Sequence, residues 1–257
     1  MAYVEIPGAR LWYTDSGGSG VPIVLMHAAS GTTDAWQYQI PAFSAAGYRC
    51  IAYDRRGAGR TEIDPSTGDQ PGCASEDLAQ LADKLGLDRF HLAGTAAGAA
   101  PSIDFALSYP ERLRSLVIAD GTCGVQDPEH LELLERIRPP EFQALPVELR
   151  EVGACYRGTN PEGLRRWVEI AHASGEGSAP RQTARNHVTY ALLETMRLPV
   201  LAIVGTADQT TPPVVMRAAA AHIAGCQIEY IPEAGHAAFW EQPDLWNRLV
   251  LDFISKH

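Results

Sequence analysis

The stretch "HLAGTAAGAA", His91 to Ala100, decides the fold. An apolar run, "RFHLAG" (Arg89 to Gly94), ends in glycine, a second glycine follows at Gly98, and a helix-forming segment runs from Ala97 to Ser108. This pattern predicts a buried strand that turns sharply into a helix, with small residues where the two would otherwise collide. No serine, cysteine or aspartate lies in the stretch.

Comparable runs recur on either side: "PIVLMH" (Pro22 to His27), "YRCIAYD" (Tyr48 to Asp54), "RSLVIAD" (Arg114 to Asp120), "PVLAIVG" (Pro199 to Gly205) and "CQIEYIP" (Cys226 to Pro232). Each reads as a strand covered on both faces. Helical stretches such as Ser75 to Leu85 and Pro213 to Ala224 alternate with them, which predicts a doubly wound, mostly parallel α/β sheet with right-handed crossovers. The opening segments "YVEIPG" and "RLWYTDSG" alternate polar and apolar residues, so they predict an antiparallel pair at a sheet edge. The alternation fails once, between Asp120 and Leu198. There "DPEHLELLERIR", "PPEFQALPVELREVGACYR", "NPEGLRRWVEIAHA" and "ARNHVTYALLETMR" all read as helices with proline or Asp-Pro starts. The expected organisation is a core of residues 1–120 and 198–257, with a helical cap of residues 121–197 inserted over one end of the sheet.

With 257 residues, 46% of them hydrophobic and 20% charged, the composition is that of an ordinary globular chain. No apolar run approaches the ~20 residues of a membrane span. A formal charge of −10 opposes nucleic acid as a partner, because phosphate binding depends on clustered Lys and Arg. The five cysteines are odd in number and lack C-x-x-C spacing, which favours buried thiols over disulfides or a zinc site. No secretion signal is visible, so the expectation is a cytoplasmic protein with a small-molecule substrate.

Ligands of open α/β sheets bind beyond the carboxyl ends of the strands. The residues in those places are "HAASG" (His27 to Gly31), "DRRGAGRT" (Asp54 to Thr61), the Gly94–Gly98 turn, Asp120, Asp208 and His236. Together with "VGTADQTTPP" and "IPEAGHAAFWEQPDLWNRLVLDFI", these segments resemble, in order and spacing, those of the α/β-hydrolase superfamily. The last two are most similar to the branch holding 3-oxoadipate enol-lactonases, chloroperoxidase-like esterases and meta-cleavage carbon–carbon hydrolases.

The resemblance implies a small ester, lactone or enol-lactone as substrate, with a carbon–carbon bond as runner-up, and neither cofactor nor metal. It makes His236 the base, Asp208 its orienting acid and Asp120 an alternative acid. The amides of Ala29 and Ala97 become the oxyanion hole. His27 and Ala28 fall beside the substrate pocket, with His27 bracing its loop, and Trp240 contributes an aromatic wall. Cap arginines, among them Arg138, Arg157, Arg181 and Arg185, could meet a substrate carboxylate. Aromatic or apolar cap residues such as Phe142, Leu145, Tyr156, Trp167 and Tyr190 could shape the cleft.

Ala96 stands at the nucleophile position of G-x-S-x-G, and alanine has neither lone pair nor proton to offer. Thr95 is no substitute, because only the central residue of the turn faces the cleft. Three readings follow. The chain is a serine hydrolase whose "GTSAG" has become "GTAAG", which would cost about a millionfold in turnover. Or the alanine is natural and the His236–Asp208 pair works as a general base, worth roughly 10²–10⁴-fold. Or the cleft only binds a small molecule.

Overall fold

The computed structural model describes residues 1–175 and 181–257. Its strands are β1 (Ala2–Ile6), β2 (Ala9–Asp15), β3 (Pro22–Met26), β4 (Arg49–Tyr53), β5 (Glu62–Ile63), β6 (Phe90–Thr95), β7 (Leu113–Ala119), β8 (Val200–Gly205) and β9 (Gln227–Ile231). They form one sheet in the order β1-β2-β4-β3-β6-β7-β8-β9, with β5 paired to β2. Along this order every pair from β4 to β9 is parallel, while β1, β4 and β5 each pair with β2 antiparallel. The doubly wound sheet and its antiparallel edge therefore agree with the sequence. β9 departs from expectation: it is the far edge, and most of its side chains are exposed or half-exposed rather than covered on both faces.

The helices are α1 (Gln39–Ala45), α2 (Ala74–Lys84), α3 (Ala99–Ser108), α4 (Pro128–Ile137), α5 (Pro140–Gln143), α6 (Val147–Glu151), α7 (Ala154–Thr159), α8 (Pro161–Ala173), α9 (Tyr190–Leu193), α10 (Pro213–Ala220), α11 (Ala238–Glu241) and α12 (Pro243–Ile254). Successive side chains of a strand point to opposite faces, and the central strands use this to supply two cores. Val24, Leu92, Leu116 and Ala202 pack with Leu78, Phe105 and Met216 of α2, α3 and α10. Their neighbours Ile23, Ala93, Val117 and Leu201 pack with Phe43, Trp246 and Phe253 of α1 and α12.

Helices α4 to α9 occupy the segment between β7 and β8. Two of the four expected stretches are helical throughout most of their length, α4 and α8, each with proline at its first position. Asn160 caps α8 by accepting the Gly163 amide at 2.9 Å. The stretch 139–157 is not one helix but three short ones, α5, α6 and α7, broken at Pro146 and Gly153. The stretch 184–197 departs furthest, since only Tyr190–Leu193 is helical. Its start bends around the buried Asp104 carboxylate, which accepts the amides of Arg185 (2.9 Å) and Asn186 (2.8 Å), just after a bridge between Thr183 and Cys73. These contacts fix the path of a loop there, and the chain becomes helical only where Thr189 caps α9 by accepting the Leu192 amide at 3.2 Å.

The strand-to-helix turn is tight. A Cβ on Gly94 would lie 2.3 Å from Ser102 Oγ and 2.5 Å from the Gly98 carbonyl oxygen, and one on Gly98 would lie 2.4 Å from the Met26 carbonyl oxygen. Within this turn Ala96 has φ +50°, the left-handed region that L-residues rarely enter. Gly98→Ala should therefore lower stability by on the order of 3 kcal/mol or more, because it drives a methyl into strand backbone that cannot yield. Ala96→Gly removes about 1 kcal/mol of left-handed strain against a similar entropic cost and should stay within about 1 kcal/mol of the parent. Urea unfolding of the two variants checks both.

Candidate active site

The loop after β8 holds Asp208 by its own turn: Oδ1 accepts the amides of Thr210 (2.7 Å) and Thr211 (2.8 Å). The other oxygen, Oδ2, lies 2.8 Å from Nδ1 of His236. One carboxylate thus forms the turn and orients the imidazole, which leaves Nε2 as the ring nitrogen that can face a substrate. The histidine loop is fastened by Glu241 of α11, whose Oε1 accepts the amides of Gly235 and Gly153, both at 3.0 Å. Gly235 is required here, since a Cβ would sit 2.4 Å from the Gly153 amide nitrogen.

Asp120 follows β7 and also has φ +50°. Its Oδ1 accepts the Gly205 amide at 2.8 Å, and its Oδ2 has no hydrogen-bond partner among the described residues. Burial, then the nearby Asp208 charge, hold its carboxyl well above the usual carboxylate range. It neither bonds His236 nor caps the first helix of the segment, α4, whose N-cap position is Asp127. The alternative acid is therefore placed as a brace between two strand ends.

Burial pulls the His236 imidazole down, but the Asp208 charge and hydrogen bond, then Glu151 and Asp120, lift it to about 9. Burial raises Glu241 to about 7 against the pull of its two amide donors.

His236 opens on a cavity of about 520 Å³. Ala29, Ala96 and Ala97 line it from the sheet side, and Arg138, Phe142, Arg150, Glu151 and Arg181 from the other. Ala97 sits in the first turn after β6, where amides have no acceptor of their own within the helix. Ala29, the other expected amide donor, lines the same cavity from the loop after β3. Thr95 is fully buried away from the cavity, and its hydroxyl has no partner among the described residues.

Three expected pocket residues do not line the cavity. His27 is fully buried, with Nδ1 at 2.6 Å from the Ala28 carbonyl oxygen and Nε2 accepting the Arg55 amide at 2.9 Å. Desolvation, then Arg55, pull it to about 3, so it stays a neutral brace of the loop. Ala28 is buried beside it and needs no left-handed backbone. Trp240 packs on Trp167 and Tyr38 and donates Nε1–H to the Gly163 carbonyl at 3.2 Å, so it secures α8 rather than facing a ligand.

Among the cap arginines, Arg157 is spent on the carbonyls of Val152 and Glu148, and Arg185 on Tyr109 and Glu76. Arg138, at the end of α4, is half-buried in the cavity wall and enters no salt bridge among the described residues. The sequence offered no sign of Glu151, whose carboxylate is buried and accepts Ser30 Oγ–H at 2.6 Å. Its charge sits in "VELRE", which reads as an ordinary solvated helix. A second hollow, about 450 Å³ and lined by Arg89, Arg114 and Arg197, lies at the amino ends of β6, β7 and β8, opposite the turn. Among the described residues no three His, Cys, Asp or Glu side chains are grouped to hold a metal, and no helix is long and apolar enough to cross a membrane.

Fold and cavity together define an α/β-hydrolase frame, and the comparison with known proteins agrees. The chain belongs to the alpha/beta hydrolase family, whose sequence profile matches residues 23–249. It is 26% identical, over 96% of its own length and 91% of the relative's, to a 2-hydroxy-6-oxononadienedioate/2-hydroxy-6-oxononatrienedioate hydrolase of Burkholderia vietnamiensis. The structure of a thermophilic esterase from Thermogutta terrifontis, solved with malate bound, superposes with a TM-score of 0.82 at 27% identity, covering 100% of this chain and 99% of that one. An enol-lactonase from Burkholderia xenovorans shares the fold, with a TM-score of 0.77 at 22% identity, covering 98% and 99%. The protein is thus an enzyme of the hydrolase class.

The raised imidazole yields a pH dependence. Above its unfolded value near 6.5 and below about 9, His236 holds a proton in the native state that the unfolded chain releases, so this interaction stabilises at low pH and fades as pH rises through 9. The His236 ring should titrate near 9 by NMR, and Asp208→Asn should bring the midpoint below 7 (~2 units) by removing the partner charge. A midpoint unmoved by Asp208→Asn would contradict the pairing.

Proposed function

We propose that this protein hydrolyses a small ester or lactone that carries a carboxylate, and that it does so in the cavity at His236. The observation behind this reading is the Asp208–His236 pair, 2.8 Å apart, opening on the same cavity as the left-handed Ala96 and the Ala29 and Ala97 amides. That constellation fits acyl chemistry. The substrate carbonyl oxygen points to the two amides, where donors aimed at developing negative charge contribute most. The carbonyl carbon lies over residue 96, and the leaving oxygen lies near His236 Nε2.

Residue 96 ends at its β-carbon, so no covalent acyl-enzyme forms there. The turn nevertheless holds the geometry that a nucleophile requires, and a serine would replace one hydrogen of the alanine methyl without moving backbone. Ala96→Ser should therefore raise kcat on 4-nitrophenyl acetate by at least about a thousandfold and bring fluorophosphonate labelling that His236→Gln abolishes. If serine brings neither turnover nor labelling, the turn is not built for acyl transfer and the reading fails.

Arg138 supports the carboxylate. A half-buried guanidinium with no salt-bridge partner among the described residues matches an anionic group planar enough for two hydrogen bonds. The relative from Burkholderia vietnamiensis is named for dioate substrates, and the Thermogutta esterase was solved with malate. In the Ala96→Ser background, Arg138→Ala should raise KM for 4-nitrophenyl hemisuccinate by roughly 10–100-fold and leave KM for 4-nitrophenyl acetate within about twofold. The five unpaired cysteines suit a reducing compartment such as the cytoplasm.

A further inference from the structure

We propose that Glu151 is a catalytic residue, the general base that activates water in place of the missing side chain at Ala96, with His236 as the general acid. The inference rests on the ester or lactone reading above and deepens it: the chain with alanine at the turn is a working hydrolase that uses no covalent intermediate.

The geometry is specific. Glu151 closes α6 and lines the cavity together with Ala29, Ala96, Ala97 and His236. It is 6% exposed, so a long acidic side chain is held inside the site. Both of its ends are tied to catalytic loops. The Glu151 carbonyl oxygen accepts the Ala237 amide at 2.9 Å, which locks it to the histidine loop. Its Oε2 accepts the Ser30 hydroxyl at 2.6 Å, which locks it to the loop that carries the Ala29 amide. Buried carboxylates are costly unless hydrogen-bonded or paired, and this one is placed against the His236 charge, which it helps to raise. The two groups offer one proton acceptor and one proton donor around the space above Ala96.

The step balances without any further reactant. The oxygen of a water bound between Glu151 and the substrate attacks the carbonyl carbon, and one water proton passes to the Glu151 carboxylate. The carbonyl electrons move to the oxygen held by the Ala29 and Ala97 amides. When they return, the bond from carbon to the leaving oxygen breaks, and that oxygen takes the proton from His236 Nε2. The products are an acid and an alcohol. Glu151 then yields its proton to solvent, and His236 regains one. General acid and general base catalysis each contribute typically 10²–10⁴-fold. His236 is faced by Asp208 from the β8 loop, Glu151 from α6 and Asp120 from the end of β7, and it is chiefly the Asp208 charge and hydrogen bond that lift the imidazole to about 9 and keep the donor charged at neutral pH.

The test uses phenyl acetate, whose poor leaving group needs the proton, beside 4-nitrophenyl acetate, whose leaving group does not. The unaltered chain should hydrolyse both without a burst. Glu151→Gln should lower kcat on both by at least about 100-fold with KM changed little, and should remove the acid-side limb of the pH profile, while Glu151→Asp should recover part of the rate. His236→Gln should cost more on phenyl acetate than on 4-nitrophenyl acetate. Ser30→Ala isolates the structural part of the Ser30–Glu151 contact. If it loses as much as Glu151→Gln, Glu151 only positions a loop and the proposal is overturned. It is overturned equally if Glu151→Gln, shown by its melting curve to be folded, keeps the parent rate, or if the unaltered chain is inert while Ala96→Ser turns over and is labelled. If Ala96→Ser does neither, the ester reading falls, and this inference with it.

Discussion

The turn from β6 into α3 is packed so closely on itself and on the end of β3 that neither Gly94 nor Gly98 has space for a side chain: a Cβ at Gly94 would lie 2.5 Å from the Gly98 carbonyl oxygen, and one at Gly98 2.4 Å from the Met26 carbonyl oxygen. Everything at the site depends on that approach. Because the strand ends and the helix begins within a few residues, the backbone between them has one way round, with Ala96 in the left-handed region at φ +50°. This conformation carries residue 96 to the cavity wall and places the Ala97 amide at the start of the helix, where it has no acceptor of its own. The neighbouring strand repeats the device. Asp120, at the end of β7, also has φ +50°, and its carboxyl braces the Gly205 amide at the end of β8. Strain of this kind persists only where surrounding structure over-determines it, and here it lies at two adjacent strand ends that flank one cleft.

The second constraint is electrostatic. Four carboxyl groups, Asp120, Glu151, Asp208 and Glu241, surround or approach a single imidazole, in a region where most of them are buried. They are held mainly by backbone amides rather than by cations: Thr210 and Thr211 on Asp208, Gly205 on Asp120, Gly153 and Gly235 on Glu241. Proximity of like charges raises the proton affinity of the poorly solvated members. The cluster resolves into distinct roles through geometry. Asp208 alone bonds His236, Asp120 and Glu241 brace loops with their proton affinity raised, and Glu151 reaches the cavity from α6. The excess of acid around His236 is what makes a proton donor of a residue that a serine hydrolase would use first as a base.

Much of this frame is legible in the sequence because it repeats. A buried parallel strand followed by glycine or a polar turn occurs again and again, and each recurrence reinforces the others, so the sheet and the sharp turn after β6 could be read from pattern, whereas the pairing of Asp208 with His236 is implied only by the resemblance of their two loops to the α/β-hydrolases. The cap could not be read as well, for physical reasons visible in particular residues. Prolines marked the starts of α4 and α8, but the path of the chain at the start of 184–197 depends on Asp104, a residue about 80 positions away in sequence, which accepts two of its amides. Trp240 and His27 lie close to the site in sequence but turn into packing and loop bracing, a difference of orientation that composition does not carry. Glu151 left no trace, because an acid in a short helix looks the same whether it faces solvent or a cavity.

An alanine at the turn removes little of what handles a carbonyl. In the proposed reading the groups that polarise it are backbone amides, and those that orient His236 belong to other loops, so none of them is lost with the side chain at 96. A cleft that only held a ligand would gain nothing from gathering acids around His236, since each buried carboxyl costs desolvation that its amide partners only partly offset. The arrangement makes physical sense where proton transfer is required, because a donor and an acceptor of opposite charge have to be kept near one carbonyl without neutralising each other. His236 is fixed by Asp208 on one side of the cavity, and Glu151 is fixed by Ser30 on another. Between them residue 96 contributes only a methyl group, and the nucleophile that fits beside a methyl group and a carboxylate is water.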